Sequence, residues 1–205
     1  MDQQKYIDDL KEIRNMMDRS SRFISLSGLS GVAAGIFALL GAYLAYRTVY
    51  KGQDYLGYRK ALITDESLLT LLAIACGVLL LSIVTGIYFT TRKARRLNQK
   101  LWDMQTKRLL TNLMIPLLTG GILCLQLLVN GFVGLVAPLT LIFYGLALVN
   151  ASKYTLTDVR GLGIFQIVLG LLATHFIGYG LLFWAIGFGA LHIVYGILMQ
   201  IKYGS

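Results

Sequence analysis

The long apolar stretches of this 205-residue chain contain no Asp, Glu, Lys or Arg. Charges held within a bilayer mark ion pathways and proton relays, so their absence argues against carboxylate-driven secondary transport. Conduction along backbone carbonyls of glycine-rich or kinked helices stays open. Cysteine is also scarce: Cys76 and Cys124 are the two in the chain, each inside an apolar stretch. Neither has a partner at metal-ligand spacing, which excludes a disulfide framework or zinc site and makes both read as small core residues. The two histidines, His175 and His192, fall at different depths, so they do not share a haem iron. The first 22 residues carry ten charges and no apolar core, which reads as no cleavable signal. No cofactor is implied.

What is present is apolar surface: 56% of residues are hydrophobic, 14% are charged, and 22 are glycine. That is the composition of a membrane protein in one domain. The last apolar run, Gly161 to Ile201, has about forty residues without a charge. As helix it would reach ~60 Å, twice the ~30 Å hydrocarbon core, so it must fold back. Gly178-Tyr179-Gly180 supplies turn chemistry near its middle. The block Leu109 to Asn150 is also double length, with Asn130-Gly131 at its centre. With the single blocks before them, these predict an all-α, polytopic membrane helix bundle of six transmembrane helices. The spans read as 23–46, 67–91, 109–129, 132–150, 161–177 and 180–201.

The net charge of +9 is informative by location. With six spans and the amino terminus inside, fifteen Lys and Arg fall on inside segments and four outside. The positive-inside rule then places both termini in the cytoplasm. A basic balance alone would also suit nucleic acid, but these charges flank spans and no nucleic-acid motif accompanies them. Residues 92–108 are the most basic segment; Leu97, Leu101, Trp102 and Met104 give it an apolar side. It reads as an interfacial helix against anionic headgroups. Residues 1–22 read as a cytoplasmic amphipathic helix, with Tyr6, Leu10, Ile13 and Met17 on one face. It suits packing on its own bundle, pairing in a homo-oligomer, or lying on the membrane.

Small residues mark the faces that pack, because lipid gives no hydrophobic drive between helices and missing side chains let backbones approach. In the first span Ser27, Gly31, Ala34, Gly35, Ala38, Gly41, Ala42 and Ala45 share about a third of the circumference. Leu29, Val32, Ile36, Leu40 and Tyr43 lie opposite. In the last span Gly180 with Gly187, and Gly189 with Gly196, form two sets on nearly opposite sides at ~100° per residue. A helix with two such faces has two close neighbours, so this span is predicted to sit centrally. Pro116 and Pro138 each remove a backbone donor and predict kinks in the third and fourth spans.

The candidate chemistry is neutral. Tyr144, Gln166, His192 and Tyr195 lie roughly 7 to 14 Å from the cytoplasmic boundary at 1.5 Å per residue. Gln166 falls near the side marked by Gly163 and Gly170, and His192 near Gly189 and Gly196. The structural reading is an interhelical hydrogen-bond cluster worth about 0.6 to 2 kcal/mol per bond; the other is a small-ligand or proton-handling site. Gly28-Leu29-Ser30-Gly31 also matches the G-x-S-G of rhomboid intramembrane proteases, with His192 as the base that a serine needs. In rhomboids that motif belongs to the fourth span, and here it begins the first.

From Leu109 onward the wording is specific: Ala137-Pro-Leu-Thr-Leu-Ile-Phe-Tyr-Gly145, Asn150-Ala-Ser-Lys-Tyr-Thr155, Gly178-Tyr-Gly-Leu-Leu-Phe-Trp-Ala-Ile-Gly-Phe-Gly189 and Leu191-His-Ile-Val-Tyr-Gly196. It resembles a family of uncharacterised bacterial six-span inner-membrane proteins over nearly the whole chain. The resemblance implies the fold class and a bacterial inner membrane, and it transfers no catalytic residue. The sequence reading is therefore a non-catalytic accessory, regulatory or assembly subunit with a membrane-protein partner. The alternative is a small channel or transporter for a neutral or weakly ionised solute, and the remote alternative is an intramembrane serine protease.

Overall fold

A computed structural model of the chain describes residues 27–50, 65–96 and 102–203. The amphipathic segment 1–22, most of the loop from 47 to 66, and residues 97–101 of the basic segment lie outside the described residues. Every regular element among the described residues is helical. The longer ones in chain order are α1 (Gly28–Ala45), α2 (Asp65–Arg96), α3 (Met104–Val129), α4 (Val133–Ala151), α5 (Asp158–His175) and α6 (Gly180–Tyr203); a π-helical turn, Tyr46–Tyr50, follows α1, and a 3-10 turn, Ser152–Tyr154, follows α4. Five of them, all but α5, are long and apolar enough to cross a bilayer. α5 has 18 residues and begins with Asp158 and Arg160 in its first turn, which lowers its apolarity.

Local chemistry sets the boundaries. Asp103 caps α3: its carboxylate accepts from the Thr106 backbone N–H at 2.7 Å and from its hydroxyl at 2.8 Å. These bonds, the backbone one foremost, hold the Asp103 carboxyl below its ordinary range. The basic segment is thus not one helix over 92–108: α2 runs on to Arg96, and a new helix starts at Met104. The α3–α4 and α5–α6 connections turn at Gly131, φ +78°, and Gly178, φ +116°, conformations that L side chains disfavour.

The helices meet at glycines. α5 runs antiparallel along α4: a Cβ on Gly163 would stand 2.8 Å from the Gly145 carbonyl oxygen, and one on Gly170 would stand 2.9 Å from that of Pro138. α6 lies between α1 and α4, touching both and α5. On its α1 side, a Cβ on Gly196 would lie 2.6 Å from the Gly28 carbonyl oxygen, and one on Gly35 would lie 2.7 Å from that of Gly189. α1 and α6 are therefore antiparallel, with Gly28 beside Gln200 at one end. The C-terminal end of α2 joins them there, where Lys93 Nζ donates to the Tyr203 carbonyl at 2.7 Å. α2 otherwise meets α1, with Val78 and Ile74 against Gly41.

The buried core is small and apolar: Ala38, Ala42 and Ala45 of α1, Leu141, Ala147 and Leu148 of α4, and Val159, Leu162 and Ala173 of α5. Cys124 is buried with them, but Cys76 is exposed on α2, so the reading of Cys76 as a core residue is corrected. Position 76 is two residues, about 160° round the helix, from both Ile74 and Val78, which meet α1.

α3 and α4 continue through their prolines. Pro116 cannot donate to the Asn112 carbonyl one turn earlier, and Asn150 of α4 donates its side-chain amide to that same oxygen at 3.1 Å. A neighbouring helix thereby satisfies the group that proline freed, as hydrocarbon requires.

Candidate functional site

The last helix is not uniform. Its middle turn, Ala185–Leu191, winds as a π-helix, flanked by α-helix on both sides. Such wide turns are rare and tend to fall at functional positions. Gly187 lies within it, and its carbonyl oxygen is where the polar groups converge. Gln166 of α5 donates Nε2–H to that oxygen at 2.8 Å, and His192 Nδ1 lies 2.9 Å from it. A carbonyl only accepts, so Nδ1 carries the proton. In the neutral ring Nε2 is then the acceptor, and the Tyr144 hydroxyl of α4 donates to it at 2.8 Å. Gln166 Nε2 and His192 Nδ1, 3.5 Å apart, are two donors directed at one oxygen rather than a bonded pair.

Gln166 is fully buried, and His192 is 6% exposed. The Gln166 Oε1 atom has no conventional partner among the described residues. It lies 2.5 Å from where a Cβ on Gly187 would stand, so a larger residue at 187 would displace the glutamine amide. The Leu141 side chain closes the same space.

Aromatic rings wall the site. Phe188 stacks on His192, with centroids 5.8 Å apart at 16°, and lies 5.0 Å from both Tyr144 and Trp184. The structure thus joins Tyr144, Gln166 and His192 in one network. Tyr195 is not bonded to it: its hydroxyl is buried without a partner among the described residues, and its ring packs on a cluster of Leu148, Leu156, Val159, Leu162 and Met199. His175 is exposed at the end of α5 against Phe176.

The packing residues fall in two sets. Gly187 faces Leu141 and Gln166, and Gly180 faces Ala137 and Pro138. Gly189 faces Leu39, while Gly196 faces Gly28 and Val32. On α1, Gly31 lies against the Gly196 and His192 backbones, and Gly35 lies against Gly189 and Ile193. Ser27 is buried.

The serine of the G-x-S-G motif is not paired with the histidine. Ser30 Oγ donates to the Ser27 carbonyl at 2.6 Å, and both ring nitrogens of His192 face Gly187 and Tyr144. No imidazole is placed to take a proton from Ser30, as a nucleophilic serine requires.

Sequence reasoning found the three side chains but not the acceptor. Backbone carbonyls carry no residue label, and a π turn follows from tertiary packing that periodicity assumes away. The Asn150–Asn112 bond was missed too, although a proline four residues after Asn112 signals a freed carbonyl.

Comparison with family models, with curated proteins and with solved structures returns no match. The resemblance to bacterial six-span proteins accordingly rests on the quoted residues alone.

Proposed function

We propose that this is a six-span protein of the bacterial inner membrane, with both termini cytoplasmic, that acts without catalysis as an accessory, regulatory or assembly subunit of another membrane protein. The observation that carries the reading is the use made of the polar cluster. Gln166, His192 and Tyr144 fasten α4, α5 and α6 to one another through Gly187, instead of standing free for a substrate. A network whose donors are directed at a carbonyl rigidifies a bundle and gives it a single arrangement.

Two features support the sixth span. α5 follows α4 from Gly145 to Pro138 in antiparallel contact, and its 18 residues reach ~27 Å, close to the hydrocarbon thickness. The antiparallel pairing of α1 with α6 supports an even number of crossings. Fifteen basic residues against four then favour the cytoplasm for both ends.

The test is copurification of the full chain from native membrane after mild crosslinking. A protein partner recovered in constant ratio is the expected result. Solute flux catalysed by the purified chain alone in proteoliposomes would overturn it in favour of a channel or transporter.

A further inference from the structure

The C-terminal half of α2 carries an open surface pocket of about 640 Å³, lined by that helix alone among the described residues, that no part of the polar cluster touches. Its upper wall is Val84, Ile87 and Tyr88, which are 61%, 63% and 59% exposed. Its lower wall is Thr91 followed by Arg92, Arg95 and Arg96. At ~100° per residue these side chains spread over about half of the helix circumference, from Ile87 round to Arg96. Ile87, nine residues beyond Val78, lies about half a turn from the residue that meets α1, and Arg92, Arg95 and Arg96 are exposed at the end of the helix.

The chemistry changes sharply along the pocket. Over the eight residues from Val84 to Arg92, ~12 Å of helix, the lining passes from aliphatic through hydroxyl to guanidinium. The acidic residues of α2, Asp65 and Glu66, stand at its opposite end, so no carboxylate of this helix neutralises the arginines. A ligand that fits both walls has an apolar body at least that long below an anionic head. A soluble phosphate would meet the arginines but leave the apolar wall open. A zwitterionic lipid would bring its own cation against three guanidiniums.

We infer that this face of α2 is a binding site for an anionic phospholipid, whose headgroup phosphate is held by Arg92, Arg95 and Arg96 and whose acyl chain lies along Val84 and Ile87. Guanidinium forks match phosphate oxygens in bidentate pairs, while Tyr88 and Thr91 supply hydroxyl donors at the level between head and chain. The site rests on reading α2 as a membrane span. It sits beside the Lys93 to Tyr203 bond, so an occupied site would brace the junction between α2 and α6.

The experiment uses the full chain purified in mild detergent, with bound lipid counted by native mass spectrometry after titration with phosphatidylglycerol or phosphatidylcholine. Phosphatidylglycerol should be retained about tenfold more strongly. The triple variant Arg92→Gln/Arg95→Gln/Arg96→Gln should lose that preference, and Ile87→Ser should weaken retention while keeping it. A control that removes charge elsewhere, Lys107→Gln/Arg108→Gln, should leave it unchanged. Equal retention of the two lipids, an undiminished preference in the triple variant, or an equal loss in the control would each overturn the site. Alkaline carbonate extraction separates this from the span reading: a chain that stays in the membrane yet shows no preference loses only the lipid site. Thermal melting of each variant confirms folding before lipid is counted.

Discussion

At Gly187 the absence of one methyl group lets an amide from α5 reach the backbone of α6. Gly187→Leu should therefore overpack the site and lower stability by about 1 to 3 kcal/mol, read as a fall in melting temperature in detergent. Gly189→Leu, which meets Leu39 of α1, should cost a similar amount. Ile36→Leu, on the exposed side of α1, should be neutral within about 0.5 kcal/mol. Tolerance of leucine at 187 or 189 would mean that face is open, and would favour the transporter reading. Gln166→Leu tests the amide alone, with an expected loss of about 0.6 to 2 kcal/mol. Because Gly187→Ala already displaces that amide, the two changes should combine to less than their sum. Full additivity in the double-mutant cycle would show that Gln166 and Gly187 do not act on each other.

Among elements, the start of α5 is joined to the end of α6 by Asp158, which accepts from Lys202 Nζ at 3.0 Å and from the Tyr203 hydroxyl at 2.8 Å. The Lys202 ammonium foremost, and then the Tyr203 hydroxyl, hold this carboxyl below its usual value. A depressed carboxylate contributes stability that is fully present above its unfolded pKa, about 3.9, and is lost as pH falls through the lower folded value. Melting curves from about pH 6 to 3 should show wild type losing its margin over Asp158→Asn on the acid side. A constant margin would mean that the carboxylate adds nothing there. The elements were legible in the sequence to different degrees. The turns at Asn130-Gly131 and Gly178 could be read because glycine has a conformational reason to be there. The two glycine sets of α6 could be read because small residues at helical spacing have a packing reason. The π turn, the Gly187 acceptor and the contact of Gly145 with Gly163 could not, since each depends on which helix the fold brings alongside.

For the whole molecule, the pairing of α1 with α6 ties topology to one measurable outcome. Gly28 stands beside Gln200, and Lys93 bonds to Tyr203, so the start of α1 and the ends of α2 and α6 gather at one end of the bundle. If that end is cytoplasmic, the segment between α2 and α3 lies inside and the loop after α1 lies outside. Single cysteines replacing Gln53 and Asn98, in a background without Cys76 and Cys124, should then react with a membrane-impermeant maleimide from opposite sides. Asn98 should label only after the inner membrane is opened, and Gln53 should label in intact spheroplasts. The alternative, five crossings with α5 lying on the surface, keeps those two labels opposed but moves the carboxyl terminus to the periplasm. A third cysteine appended after Ser205 separates the cases, because with six crossings it must label together with Asn98. Labelling of that terminal cysteine in intact spheroplasts would refute the six-span topology, and with it the antiparallel packing of α1 on α6 and the Gln166 to Gly187 bond.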